Sequence, residues 1–165
     1  MKEPIRKLDR RDDPAVPKPM RLVVAALILR HKSESSPAGN HHADAETTEV
    51  LICQRKADQP MSLKWEFPGG KIEPGETAEQ ALARELDEEL GIHATIGRRV
   101  AQVRHKYRNG GAIDLQFFVV DQFGGDLENR IFNDMRWSPL SALPAYDFLA
   151  ADLGLIRDLS EGRLL

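Results

Sequence analysis

The chain has 165 residues, 41% hydrophobic and 30% charged, with a formal net charge of −3, which suits one ordinary globular domain that buries its core without disulfides or a structural metal. No apolar run approaches the ~20 residues needed to cross a bilayer, and a slightly acidic chain lacks the concentrated basic surface of a dedicated nucleic-acid binder. A small anionic substrate stays open, since a few local cations and a metal suffice to hold one.

Residues 1–20 mix both charges with four prolines and no apolar stretch before a cleavage site. They are expected to be a flexible tail on a cytoplasmic protein. RLVVAALILR (21–30) and EVLICQRK (49–56) have the length and β-branched content of buried strands. The polar stretch between them, with Pro37 and Gly39 inside it, reads as a flexible hairpin loop near 32–47. The single cysteine, Cys53, has no internal partner and is expected to be a packing residue.

TAEQALARELDEELG (77–91) predicts a helix. Leu82, Leu86 and Leu90 recur every four residues, Thr77 and Gln80 form a capping box, and Gly91 stops the helix. Two strands follow over 96–107 and 112–123 around an RNGG turn, then a short strand at MRWSPL (135–140) and a second helix over 149–162. The order predicts an α/β fold, a mixed β-sheet covered on its faces by helices.

Stepping about 100° per residue from Leu82, the side chains of Glu85, Glu88 and Glu89 fan out on one flank of the first helix, with Ala78 and Ala81 in the same sector. Such a low face predicts a ligand cavity there. Three carboxylates so spaced repel one another and suit a hard cation such as magnesium. Taken alone, the acidic run also fits the solvated face of an ordinary amphipathic helix. The preceding FPGGK and IEPGE turns favour a site, because adjacent glycines allow close backbone approach.

From Gly70 the chain reads GKIEPGETAEQALARELDEELGI. At every defined position this resembles the Nudix box, G-x5-E-x7-R-E-U-x-E-E-x-G-U with U aliphatic. Seven fixed identities would coincide by chance with a probability on the order of one in a million or less. The flanking WEFPGGK resembles the MutT-type branch, whose members hydrolyse (deoxy)nucleoside triphosphates.

The resemblance implies a Nudix-like α/β/α sandwich over 21–165 and Mg2+-dependent hydrolysis to a nucleoside monophosphate and pyrophosphate, with Mn2+ as a substitute ion. It implies Gly70, Glu85, Glu88 and Glu89 as metal ligands, Gly69 being the alternative carbonyl donor. Glu85 and Glu88 join Arg84 and Glu76 as the catalytic set: Glu88 orients the attacking water or serves as a further ligand, and Arg84 and Glu76 hold the helix carboxylates. On the substrate side it implies Arg55 and Lys71 near the phosphates and Asp152 at the edge of the base, with Phe148 and Trp65 stacking on the ring or serving only as core. An ionised Asp152 would accept hydrogen bonds, favouring guanine, cytosine or an oxidised guanine, whereas its other reading is a helix cap.

Many relatives carry a further glutamate near the place of Ile131, and Glu128 and Asp134 are the substitutes at hand. His41, His42, His93 and His105 have no metal-ligand spacing and receive no role. Partners are expected to be a small-molecule nucleotide and, at most, a second copy in a homodimer, with no membrane. Nudix hydrolysis of nucleotide sugars, dinucleoside polyphosphates or capped RNA, and a catalytically retired binding module, are the alternatives. The second is disfavoured by an intact set of box glutamates.

Overall fold

A computed structural model of the chain describes residues 19–33 and 46–165. The expected flexible tail, apart from residues 19–20, and most of the expected loop near 32–47 lie outside the described residues. The two ends of that loop are strand rather than loop, since Lys32 pairs with Thr47 and Ser33 with Glu46.

Among the described residues, eight strands and two α-helices follow in the order β1 (Arg21–Leu27), β2 (Leu29–Ser33), β3 (Glu46–Gln54), β4 (Trp65–Glu66), β5 (Gly69–Lys71), α1 (Ala78–Leu90), β6 (His93–Lys106), β7 (Ala112–Gly124), β8 (Asp134–Pro139) and α2 (Leu153–Ser160). Short 3-10 turns over Leu140–Ala145 and Ala150–Asp152 lead into α2. The mixed sheet has the order β5-β1-β7-β6, with β1 and β7 parallel. A second, antiparallel sheet is centred on β3, which carries β8 on one edge and β2 followed by β4 on the other. The single strand expected over 21–30 breaks at Ile28. There the chain leaves the mixed sheet for the other, its carbonyl accepting from Leu51 N–H at 3.0 Å.

Alternation along the strands builds two cores. Val24 and Ala26 of β1, Ile28 just after it, Leu51 and Cys53 of β3, and Phe118 and Val120 of β7 pack against Leu82, Leu86 and Leu90 of α1. Ala25 and Leu27, Val50 and Ile52, and Leu115 and Phe117 face the other way, against Leu155, Ile156 and Leu159 of α2. Strands covered on both faces read as continuous apolar runs, which explains why 21–28 shows no polar alternation. Truncating a fully buried α1 leucine such as Leu86 to alanine would cost roughly 2–5 kcal/mol.

The capping box of α1 forms as expected. Gln80 N–H donates to Thr77 Oγ1 at 3.1 Å, and Thr77 N–H donates to Gln80 Oε1 at 3.0 Å. Gly91 ends the helix with φ 67°, a left-handed conformation that glycine adopts without a Cβ penalty. Its N–H donates to the Asp87 carbonyl at 3.0 Å.

Candidate active site

The antiparallel ladder of β1 and β5 pairs Ala25 with Gly69 and Val24 with Gly70, drawing the diglycine across the end of the mixed sheet. A Cβ on Gly69 would lie 2.8 Å from Ala25 Cα and collide with the Val24 carbonyl, so only glycine fits. A Cβ on Gly70 would land in the carboxylate of Glu85. The glycine pair thus brings backbone to within contact of the acidic face of α1.

Along that face the carboxylates run from interior to solvent. Glu89 is buried, Glu85 is largely covered, and Glu88 is 60% exposed at its side chain. Glu89 Oε2 accepts one long hydrogen bond from Gly69 N–H, at 3.3 Å. Burial first, and then the charges of Glu85 and Glu66, push the Glu89 carboxyl up to about 9. Burial also raises Glu85, against the opposing pull of Arg84.

Arg84 ties the loop to the helix. Its Nε and Nη2 donate to the two oxygens of Glu76 at 2.6 and 2.9 Å, and Nη1 donates to Glu85 Oε1 at 2.9 Å. Nη1 also lies 3.6 Å from Glu88, and Nη2 donates to the Lys71 carbonyl at 3.1 Å. This fork, helped by Glu73 N–H, holds the Glu76 carboxyl down at about 2.

Among the described residues, no three acidic, His or Cys side chains are already gathered as a closed metal cage. The donor set nevertheless fits a hard divalent cation. Glu89 is a buried carboxylate with one weak donor and like charges beside it, and Gly70 leaves open the space in which the Glu85 carboxylate sits. Magnesium tends to take only one or two protein carboxylates, completing its shell with water and phosphate oxygens.

A cavity of about 470 Å³ has Glu89, Gly69, Gly70, Glu66, Arg55 and Asp152 among its lining residues, within the size range of small-ligand pockets. Asp152 is 3% exposed, and burial followed by the charge of Glu66 pushes its carboxyl up to about 8. It stands at the N-cap position of α2 but makes no side-chain cap hydrogen bond. The helix-cap reading is thereby excluded. α2 itself begins four residues later than the helix expected from 149, because 150–152 wind as a 3-10 turn.

Arg55 lies just beyond the end of β3. Its Nε donates to the Pro60 carbonyl at 2.9 Å, and its Nη1 reaches both oxygens of Glu66, at 3.3 and 3.4 Å. Lys71 also lines the cavity.

Three expectations need correction. Ala78 and Ala81 do not floor the cavity: Ala81 is fully buried, and Ile72, following β5, packs with both alanines against the α1 core. Phe148 is not among the residues lining the cavity. It is 3% exposed, with its ring 5.5 Å from Phe67, and Phe67 lines the cavity instead. Trp65 belongs to the core, the second of the two readings open to it, edge-on to Tyr146 at 5.1 Å. Finally, neither substitute for the missing loop glutamate reaches the cavity. Glu128 is paired with Arg130 at 3.0 Å and Asp134 with Arg136 at 2.9 Å, while Ile131 itself forms part of the wall.

Glu66 is the residue that sequence reasoning missed. It stands on β4 between Trp65 and the following Phe67, both buried, and strand alternation turns it away from them and to the side of Cys53, its cross-strand partner. An acid so placed has few structural reasons to be there, which was the available signal. Burial pushes the Glu66 carboxyl up, with Arg55 opposing, and burial pushes the Cys53 thiol far up as well.

A family model described as the NUDIX domain matches residues 40–159. The chain is 42% identical over 108 residues to the CTP pyrophosphohydrolase of Escherichia coli K12, covering 65% of this chain and 78% of that one. It is 38% identical over 114 residues to the 8-oxo-dGTP diphosphatase of the same organism, covering 69% and 88%. Among solved structures, that of the E. coli ORF135 protein superposes with a TM-score of 0.66 at 35% identity, covering 84% of this chain and 86% of that one. No described helix is long and apolar enough to cross a membrane.

Proposed function

Since this chain belongs to the NUDIX family and is a hydrolase of that family, we propose that it cleaves (deoxy)nucleoside triphosphates to the monophosphate and pyrophosphate with Mg2+, acting on the cytoplasmic nucleotide pool. The observation that carries this reading is one cavity lined both by the carboxylate-and-glycine group of Glu89, Gly69 and Gly70 and by a buried carboxyl that makes no cap hydrogen bond, Asp152. The first suits a metal-bound phosphate chain and the second the polar edge of a nucleobase.

Glu85, Glu88 and Glu89, with the carbonyl of Gly70, would hold the metal, which when bound supplies charge neutralisation at the phosphates and activation of the attacking water. Arg84 and Glu76 keep the helix carboxylates aligned. Glu88, the most exposed of the three, orients the water. Arg55 and Lys71 contribute positive charge toward the phosphates. Asp152 selects the base, and the names of the two relatives, a CTP pyrophosphohydrolase and an 8-oxo-dGTP diphosphatase, support cytosine and oxidised or ordinary guanine as the bases to test first.

The test is pyrophosphate release from a panel of canonical and damaged nucleoside triphosphates, with and without Mg2+, for the wild type, Glu88→Gln and Asp152→Ala. Release that requires metal, collapses in Glu88→Gln and changes its substrate ranking in Asp152→Ala is the expected result. Absence of cleavage of every triphosphate with any divalent metal would overturn the reading and bring nucleotide sugars, dinucleoside polyphosphates or capped RNA forward as substrates.

A further inference from the structure

The C-terminal end of α1 runs against the usual charge pattern of a helix. Glu85, Asp87, Glu88 and Glu89 crowd its last two turns, and no basic residue stands in the last one. A helix end of this kind already carries the negative pole of the dipole and carbonyls without intrahelical partners. Acids there raise the demand for donors and positive charge from another segment.

The segment between β7 and β8 supplies both. Arg130 Nη1 donates to the Asp87 carbonyl at 3.0 Å, Arg130 N–H to the Glu89 carbonyl at 3.2 Å and Glu128 N–H to the Leu90 carbonyl at 2.9 Å. A Cβ on Gly91 would stand 2.7 Å from Arg130 Nη2, so the glycine that ends the helix also makes room for the guanidinium. The segment then continues into the cavity wall at Ile131 and Phe132. Asn129 closes its turn, accepting from Phe132 N–H at 2.8 Å and donating to the Phe132 carbonyl at 3.0 Å, and Asn133 N–H donates to the Gln54 carbonyl at 2.9 Å. Arg130 thus stands where a turn anchored on β3 meets the turn of α1 that carries Glu88 and Glu89.

We propose that Arg130 is a positioning residue for the metal-binding end of the site: from outside α1 it fixes the last turn of the helix, and with it the placement of Glu88 and Glu89. The inference rests on the metal role given to these glutamates above. Arg130 is not among the residues lining the cavity, so it acts through the helix rather than on a ligand. Without the guanidinium, the Asp87 carbonyl keeps only Gly91 N–H and no cation faces the helix end. The last turn then opens more often, and the two carboxylates lose their fixed spacing to Gly69 and Gly70.

The experiment compares the wild type with Arg130→Ala and Arg130→Lys. Mn2+ is titrated into the ligand-free enzyme and counted by electron paramagnetic resonance, amide exchange is followed from Glu88 to Gly91, and pyrophosphate release is measured against Mg2+ concentration. Arg130→Ala should weaken Mn2+ binding and raise the half-saturating Mg2+ roughly tenfold, while KM for the triphosphate at saturating Mg2+ stays within about twofold. Its exchange at the end of α1 should be several-fold faster. Arg130→Lys keeps the charge without the planar fork and should lie between the two. Wild-type Mn2+ affinity and exchange in a folded Arg130→Ala, or in Arg130→Lys where the alanine variant does not fold, would overturn the proposal. Unfolding of both variants would assign Arg130 to stability and overturn it as well. Neither the Mn2+ titration nor the exchange needs a substrate, which separates the two readings. A wild type that binds Mn2+ but releases no pyrophosphate from any triphosphate overturns the substrate reading alone; one that binds no Mn2+ overturns both.

Discussion

Arg84 grips Glu76 with two nitrogens, Nε at 2.6 Å and Nη2 at 2.9 Å, and passes its third nitrogen to Glu85 at 2.9 Å. Because a planar fork makes all three contacts at once, lysine cannot replace it. Arg84→Lys should lower kcat roughly 10- to 100-fold, in the range seen when groups that orient metal ligands are lost, with a smaller effect on KM. Steady-state kinetics beside a melting curve checks this; an equal loss in an otherwise unfolded variant would assign Arg84 to stability alone.

The same pair sets an acid limit. Arg84, and then the Glu73 N–H, hold the Glu76 carboxyl at about 2, below its ordinary 4.5. The folded form therefore binds fewer protons between those values. Its stabilising contribution is complete above about pH 4.5 and is lost as pH falls through about 2. Urea melts of wild type and Glu76→Gln should differ at pH 7 by a margin that shrinks steadily below pH 4.5; a constant margin would mean that the charge of Glu76 does not contribute.

The helix that carries the site was the most legible part of the sequence. Its 3.6-residue period, its capping box and Gly91 are all local signals, and local signals survive in any tertiary context. β4 and β5 carried none, since two- and three-residue strands have no measurable period, yet they position Glu66, Gly69 and Gly70. The cavity meets α1 at Glu89, on the acidic face, but not at Ala78 and Ala81, because a low helical face is equally good for a ligand and for core packing, and both alanines belong to the core that includes Ile72. Phe148 could not be separated from Phe67 for the same reason: two aromatics in one small core compete for one wall, and only the three-dimensional packing decides.

Gly69 and Gly70 should separate structure from chemistry. At Gly69 a methyl meets fixed backbone at Val24 and Ala25, so Gly69→Ala should lower stability by about 1–3 kcal/mol or more. At Gly70 it meets the end of the Glu85 side chain, which can move. Gly70→Ala should stay folded and lose kcat, on the order of tenfold, through displacement of that carboxylate. Denaturant melts and kinetics on the two variants make the comparison. The outcome that defeats it is a Gly70→Ala enzyme of wild-type activity.

Glu128 and Asp134 sit on Arg130 and Arg136 outside the cavity. Replacing either with alanine should leave kcat within about twofold, in line with the small worth of exposed ion pairs. A loss of a hundredfold in either variant, at unchanged fold, would make that residue a base and displace Glu88 from the role.

Asp152 gives the clearest pH signature. Its carboxyl is raised from an ordinary 3.8 to about 8, chiefly by burial and secondly by Glu66. The folded protein therefore holds a proton that the unfolded chain has released, and stability falls as pH rises from about 4 to about 8, then levels off. Asp152→Asn cannot ionise, so it should melt progressively higher than the ligand-free wild type across that window, by roughly 5 °C or more at pH 8. Below pH 8 the neutral carboxyl both donates and accepts, matching a base edge that pairs one donor with one acceptor, such as N3 and the 4-amino group of cytosine; above it the group only accepts. The ratio of kcat/KM for CTP to that for dGTP or its oxidised form should therefore drift across pH 7–9 in the wild type and stay flat in Asp152→Asn. Parallel pH profiles in the two enzymes would remove Asp152 from base selection.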